Sequence, residues 1–200
     1  MKDGTRLYLV RHGQVDGYER FPIYGHTDVA LTEVGVLHFQ QLADRLRFTK
    51  IQTIYSSDLQ RAVVGARIIA QNHDVPVHAH SELRELHFGD WEGLNLHEVR
   101  ERFPEKIQDR MIDPVNFRVP GDGETIGELS DRVMACFGEI LNKQDGGDFL
   151  IVGHGAVNRV ILCDALGLPL QNMFRLHQDY GCLNIVDYFP DSTVVRLING

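Results

Sequence analysis

The sequence predicts an α/β fold of three layers, with a mainly parallel central sheet and helices on both faces, filled by one domain over residues 1–200. Three observations lead there. Short apolar runs alternate with longer segments of helical periodicity, the order of a layered α/β chain. Runs such as Leu7 to Val10 and Phe149 to Val152 are apolar at every position instead of at alternate ones, as expected of strands buried on both faces of a parallel sheet. The chain has 200 residues, 43% apolar and 24% charged, which suits one sizeable core, and no linker or repeat interrupts it.

Leu7 to Val10 is the first strand and ends in Arg11-His12-Gly13. Thr32 is a candidate N-cap for a helix to Arg47, in which Val34, Leu37, Leu42 and Leu46 recur near the helical period. Ile51 to Tyr55 reads as a second strand. Ser57, with Gln60 three positions on, reads as a capping box opening a helix through Ala62, Val63, Ala66 and Ile69. Val75 to His78 is expected to be a third strand, Leu83 to Asn95 irregular, and Leu96 to Met111 helical with a break at Pro104. A second capping box, Thr125 with Glu128, introduces a helix that the Gly146-Gly147 pair is expected to end. Phe149 to Val152 is the fourth strand, and a helix from Ala156 to Leu166 stops at Gly167. Leu183 to Phe189 and Thr193 to Ile198 form a hairpin around Asp191-Ser192.

Composition excludes several classes of function. With 28 acidic against 20 basic residues, the charge of -8 repels nucleic acid and anionic membrane. No apolar run approaches the roughly 20 residues needed to cross a bilayer. Cys136, Cys163 and Cys182 are widely spaced, with no C-x-x-C pair and no leader-like segment before them, so a reducing cytoplasm is expected. Phosphate-binding loops of the G-x-x-x-x-G-K-[ST] type, dinucleotide turns and G-x-S-x-G elbows do not occur.

Chemistry concentrates at two strand ends. Leu9-Val10-Arg11-His12-Gly13 and Ile151-Val152-Gly153-His154-Gly155 share one design: a buried strand, an imidazole, and a glycine that admits close approach to the backbone. Either histidine alone reads as structural, but two leaving the carboxyl edge of one sheet point to a shared pocket. Arg61, in the first helical turn after Ser57, opposes the helix dipole, which makes sense if an anion lies between them; a solvated arginine is the plainer alternative. With Arg11 it would supply two planar forks, suited to phosphoryl oxygens. Among the carboxylates from Glu82 to Glu92, composition singles out none. His78-Ala-His80 has alternate spacing, yet no third ligand stands at a recognisable distance in sequence, so an exposed strand end is expected and no metal.

Taken together, Arg11-His12-Gly13, Ser56 to Ala62, Leu83-Arg84-Glu85 with Phe88 to Gly93, Gly121 to Glu124, and Val152 to Gly155 resemble the histidine phosphatase superfamily, also called phosphoglycerate mutase-like. The likeness runs from about Leu7 to the last strand, with five motifs in order. It implies the phosphoglycerate mutase-like fold and a phosphomonoester hydrolase that needs neither metal nor cofactor. In that reading His12 is the nucleophile, Arg11, Arg61 and His154 hold the phosphate, and Glu85 is the proton donor. Gln14, Tyr24 and Gly25 join Arg11, Arg61 and His154 as expected substrate contacts. A bound phosphate dianion beside Glu85 would favour its protonated form by charge repulsion. Within the family the chain is most similar to the α-ribazole phosphatase branch, through Tyr24-Gly25-His26, Glu82 to Gly93, Gly121 to Glu124 and Gly181-Cys182. It departs from the family pattern at Gln14-Val15, Tyr18 and Ala30.

The expected partner is therefore a small phosphorylated metabolite, with no nucleic acid and no membrane, and a homodimer is compatible with this. Three other readings stay open: a phosphoglycerate mutase, a non-catalytic phosphate-binding regulatory protein, and a metal-dependent phosphatase. The present length favours hydrolysis over the mutase, and a mere binder has no use for a nucleophile and an acid.

Overall fold

The computed structural model describes residues 4–20 and 22–200. Strands β1 (Thr5–Arg11), β2 (Ile51–Ser57), β3 (Val77–His80), β4 (Asp148–Gly153), β5 (Leu183–Phe189) and β6 (Ser192–Leu197) form one sheet in the order β3-β2-β4-β1-β5-β6. Pairing is parallel from β3 to β1, and the C-terminal hairpin joins β1 as an antiparallel edge. The mixed sheet agrees with the α/β class expected from the sequence.

The all-apolar strands have the cause inferred for them. In β1, Leu7 and Leu9 pack into a core with helices α5 (Ile126–Asn142) and α6 (Gly155–Leu166). Tyr8 and Val10 point the other way, into a core with α1 (Glu33–Leu46) and α2 (Gln60–Ala70). Strand β4 divides likewise, Phe149 and Ile151 to the first face, Leu150 and Val152 to the second. Side chains of a strand alternate between faces, so a strand covered on both sides must be apolar throughout. A smaller cluster around Trp91, Val99 and Val119 packs against residues from α3 (Leu96–Arg102) and α4 (Pro104–Ile112), which meet at Pro104 as expected.

Thr32 caps α1 by accepting the Gly35 N–H (3.0 Å), and Thr125 with Glu128 forms the reciprocal box at α5. Ser57 does not cap α2. It remains in β2 and accepts the Leu59 N–H (3.2 Å), while Asp28, remote in sequence, takes the N–H of Gln60 (2.9 Å) at the helix start. Strand β3 begins two residues later than expected, after Pro76, whose ring nitrogen has no proton to donate to a ladder. Helix α5 ends at Asn142, ahead of the Gly146-Gly147 pair, because the Gln144 side chain donates to the carbonyl of Ile140 (2.8 Å) and closes the last turn. No described helix is long and apolar enough to cross a membrane.

Candidate active site

β1 and β4 are parallel neighbours with Arg11 opposite Gly153, and the ladder runs one step further through His12 N–H to the Gly153 carbonyl (3.0 Å). The residues that follow these strand ends are therefore placed by backbone register. The imidazoles of His12 and His154 face each other with ring centroids 5.2 Å apart. Gly13 is needed for this: a Cβ there would stand 2.4 Å from the Gly35 carbonyl oxygen, at the start of α1.

His12 is buried, and its Nδ1 lies 2.8 Å from the Gly13 carbonyl oxygen. A carbonyl only accepts, so Nδ1 carries the proton and Nε2 keeps its lone pair. Burial, then the charges of Arg11 and Arg61, push the imidazole well below its usual range and keep it neutral. His154 is neutral for the same reasons, burial first, then Arg61 and His12. It makes no hydrogen bond through either ring nitrogen among the described residues.

Arg61, the second residue of α2, is only 1% exposed, which removes the solvated alternative. Its guanidinium donates to the carbonyls of Thr27 (2.8 Å) and Gly25 (2.7 Å), leaving Nε unbonded. The Arg11 guanidinium donates to the Gln178 carbonyl (2.5 Å) and lies 4.3 Å from the centre of the Tyr180 ring, with Nε also unbonded. Nine buried side-chain polar atoms lack a partner among the described residues, and four of them belong to Arg11, Arg61 and His154. Each such group costs about 1–3 kcal/mol unless a ligand satisfies it. Donors of this kind, gathered at one strand edge beside two guanidiniums, match the oxygens of a phosphoryl group.

Glu85 accepts the N–H of Leu86 (2.8 Å) and, with both oxygens, that of Ala156 (3.1 and 3.2 Å), so its carboxylate rests on the first turn of α6 directly after His154. A Cβ on Gly155 would lie 3.5 Å from Glu85 Oε2 and 3.7 Å from Arg11 Nε, so the carboxylate and the guanidinium both border this point of the backbone. The remaining expected contacts are each engaged within the protein. Gly25 faces Arg61 through its carbonyl. Gln14 is engaged with Thr32, accepting its hydroxyl (2.8 Å) and its N–H (3.0 Å). The Tyr24 hydroxyl donates to the Asp16 carbonyl.

Several supporting residues were not foreseen. Tyr180 packs on His12 with ring centroids 5.6 Å apart. Gln178 and Asn184 exchange side-chain amide bonds of 2.8 Å behind Arg11. Arg132 gathers the carbonyls of Glu82 (2.6 Å), Arg84 (2.8 Å) and Glu85 (2.9 Å) while pairing with Glu124 (2.6 Å). The Gly121 to Glu124 motif carried a trace of that last pair. Away from these, the fold brings His80 together with Glu82 and Cys136, their donor atoms within 4.8 Å of one another. Sequence spacing could not show that grouping; burial pushes the Cys136 thiol up to about 11, so it keeps its proton.

Comparison with known proteins agrees with this geometry. The profile of the Histidine phosphatase superfamily (branch 1) matches residues 7–200. The Adenosylcobalamin/alpha-ribazole phosphatase of Salmonella typhimurium is 28% identical over 194 residues, covering 97% of this chain and 96% of its own. Phosphoglycerate mutase-like protein 4 of Arabidopsis thaliana is 35% identical over 159 residues, 78% of this chain and 69% of its own. The crystal structure of the alpha-ribazole phosphatase from Shigella flexneri superposes with a TM-score of 0.89 at 28% identity, covering 98% of this chain and 96% of that one. The chain belongs to the histidine phosphatase superfamily, as a phosphatase of its branch 1.

Proposed function

We propose that the chain hydrolyses α-ribazole 5'-phosphate through a phosphohistidine at His12. The observation that carries the chemistry is the neutral, buried His12 with its Nδ1 proton committed to Gly13, flanked by unsatisfied donors of Arg11, Arg61 and His154. Nε2 attacks phosphorus in line, forming the N–P bond as the ester P–O bond breaks. The guanidiniums and His154 take the equatorial oxygens, over which the transition state spreads its charge. Glu85 gives its proton to the departing alkoxide. It then takes one from the water that attacks the phosphohistidine, releasing inorganic phosphate and free imidazole. Full-length likeness to the alpha-ribazole phosphatases supports the choice of substrate. The buried free thiols of Cys136, Cys163 and Cys182 support a cytoplasmic setting.

A screen of phosphate esters, including α-ribazole phosphate and 3-phosphoglycerate, on wild type and His12→Ala tests this reading. Wild type should release phosphate and form an acid-labile phosphoenzyme. His12→Ala should form none and lose at least about 1,000-fold in turnover. Undiminished activity in the variant would refute the mechanism. A mutase reading draws on the Arabidopsis relative, since the same phosphohistidine can pass its group to a second hydroxyl. Isomerisation of 3-phosphoglycerate without phosphate release would favour it.

A further inference from the structure

Among the guanidiniums that the reaction described so far does not use are those of Arg159 and Arg110. A Cβ on Gly155 would lie 3.1 Å from Arg159 Nη1, bordering the same point as Glu85 and Arg11. Arg159 Nε donates to the carbonyl of Leu176 (2.7 Å), at the end of the 3-10 segment Leu170–Arg175. That segment presents Phe174, 53% exposed, and the Arg159 guanidinium carbon is 5.8 Å from the centre of its ring. From α4, Arg110 reaches the same ring at 5.8 Å and also lies 5.4 Å from the Trp91 ring and 5.8 Å from that of Phe88.

Among the described residues Arg110 makes no side-chain hydrogen bond and no ion pair. Its side chain is partly exposed, so water still reaches the guanidinium while the surrounding rings cover part of it. Burial accordingly lowers the Arg110 pKa. Arginine's delocalised plane stacks on aromatic faces as well as pairing with anions, and a half-exposed phenyl ring accepts the face of another π system. Arg159 therefore lies between Gly155, which Glu85 and Arg11 also border, and the ring of Phe174.

We propose that Phe174, with Arg110 and Arg159 beside it, is the subsite for the planar aromatic base of a nucleoside-type phosphomonoester. This rests on the phosphatase reading above and names the residues that would select such a substrate.

The test is the ratio of kcat/KM for α-ribazole 5'-phosphate to that for ribose 5-phosphate, which lacks a base. Stacking on an aromatic side chain is worth about 1–3 kcal/mol, so Phe174→Ala should lower that ratio about tenfold, mainly through KM. Phe174→Trp should restore it, and Arg110→Met should lower it by a smaller factor. An unchanged ratio in Phe174→Ala overturns the proposal. So does an Arg110→Met variant whose loss falls on 3-phosphoglycerate instead, since the guanidiniums would then hold a second anion. Wild-type turnover of both esters with a ratio near one would overturn the subsite and leave the phosphatase reading standing. Phosphate release from no ester at all would overturn both.

Discussion

His12 and His154 follow neighbouring strands whose register is fixed by the backbone ladder, whereas Glu85 sits in a stretch of irregular chain fastened by side chains that reach its carbonyls. In the proposed mechanism the phosphate end of the site therefore shares the stability of the central sheet. The leaving-group end depends on a few long-range clasps: Arg132 to the carbonyls of residues 82, 84 and 85, the Ala156 N–H to Glu85, and Glu92 to the N–H groups of His26 and Thr27 (both 2.8 Å). Phosphate is common to every substrate of a phosphatase, and the alcohol is not. A rigid frame for the first and a separately fastened segment for the second lets one fold serve many esters.

The sharpest way to break this division is at the acid. Glu85→Gln keeps the shape of the side chain but removes the proton. Loss of a general acid costs about 100- to 10,000-fold, and the cost falls on esters whose alkoxide needs protonation. An alkyl phosphate should suffer that loss, while an activated aryl phosphate, with a good leaving group, should lose far less in the phosphorylation step. Equal impairment of both in single-turnover phosphorylation would show that Glu85 is not the leaving-group acid and that the two ends of the site are not separable.

Arg132 offers a milder probe of the same boundary. Arg132→Met removes the guanidinium from the carbonyls of residues 82, 84 and 85 and breaks its pair with the partly buried Glu124, which keeps only the His87 N–H, a loss of about 2–3 kcal/mol in stability. Because Arg132 positions the Glu85 segment and touches no phosphate ligand, alkyl phosphate turnover should drop about tenfold through kcat, with affinity for inorganic phosphate retained. Arg132→Lys should recover part of the stability and little of the turnover, since an ammonium cannot span the same set of acceptors. If phosphate affinity fell in step with kcat, the two ends would be one cooperative unit.

The same contrast explains what could be read from the sequence. The two strand-histidine-glycine pieces were legible because everything that places them is local: an apolar strand, its end, and a glycine. Arg61 was legible as a cation at a helix start, although its carbonyl partners at Gly25 and Thr27 were not. Glu85 stood out only through resemblance, since Ala156 and Arg132, which hold it, are 71 and 47 residues away. The misplaced cap on α2 has the same origin, for the carboxylate at the helix start comes from Asp28, 32 residues back. Local pattern reports the sheet and what leaves its edge, but not clasps formed between distant segments.

The smallest expected effect concerns pH and the rigid end. His12 and His154 are buried and neutral, their imidazoles held well below the ordinary range chiefly by burial and then by neighbouring cations. In the unfolded chain both titrate near 6.5, so between that value and the lower folded ones the unfolded state binds more protons. Stability therefore rises with pH across this window and is lost as pH falls below about 6.5, by roughly 1 kcal/mol per histidine at one pH unit lower. Urea midpoints at pH 7.5 and 5.5 should show this loss in wild type and a smaller one in His154→Gln, which has one fewer imidazole to protonate. Inorganic phosphate should reduce the loss further, since an anion beside the two guanidiniums counters the charges that disfavour imidazolium. If His154→Gln lost as much as wild type, His154 would not be held neutral by the fold.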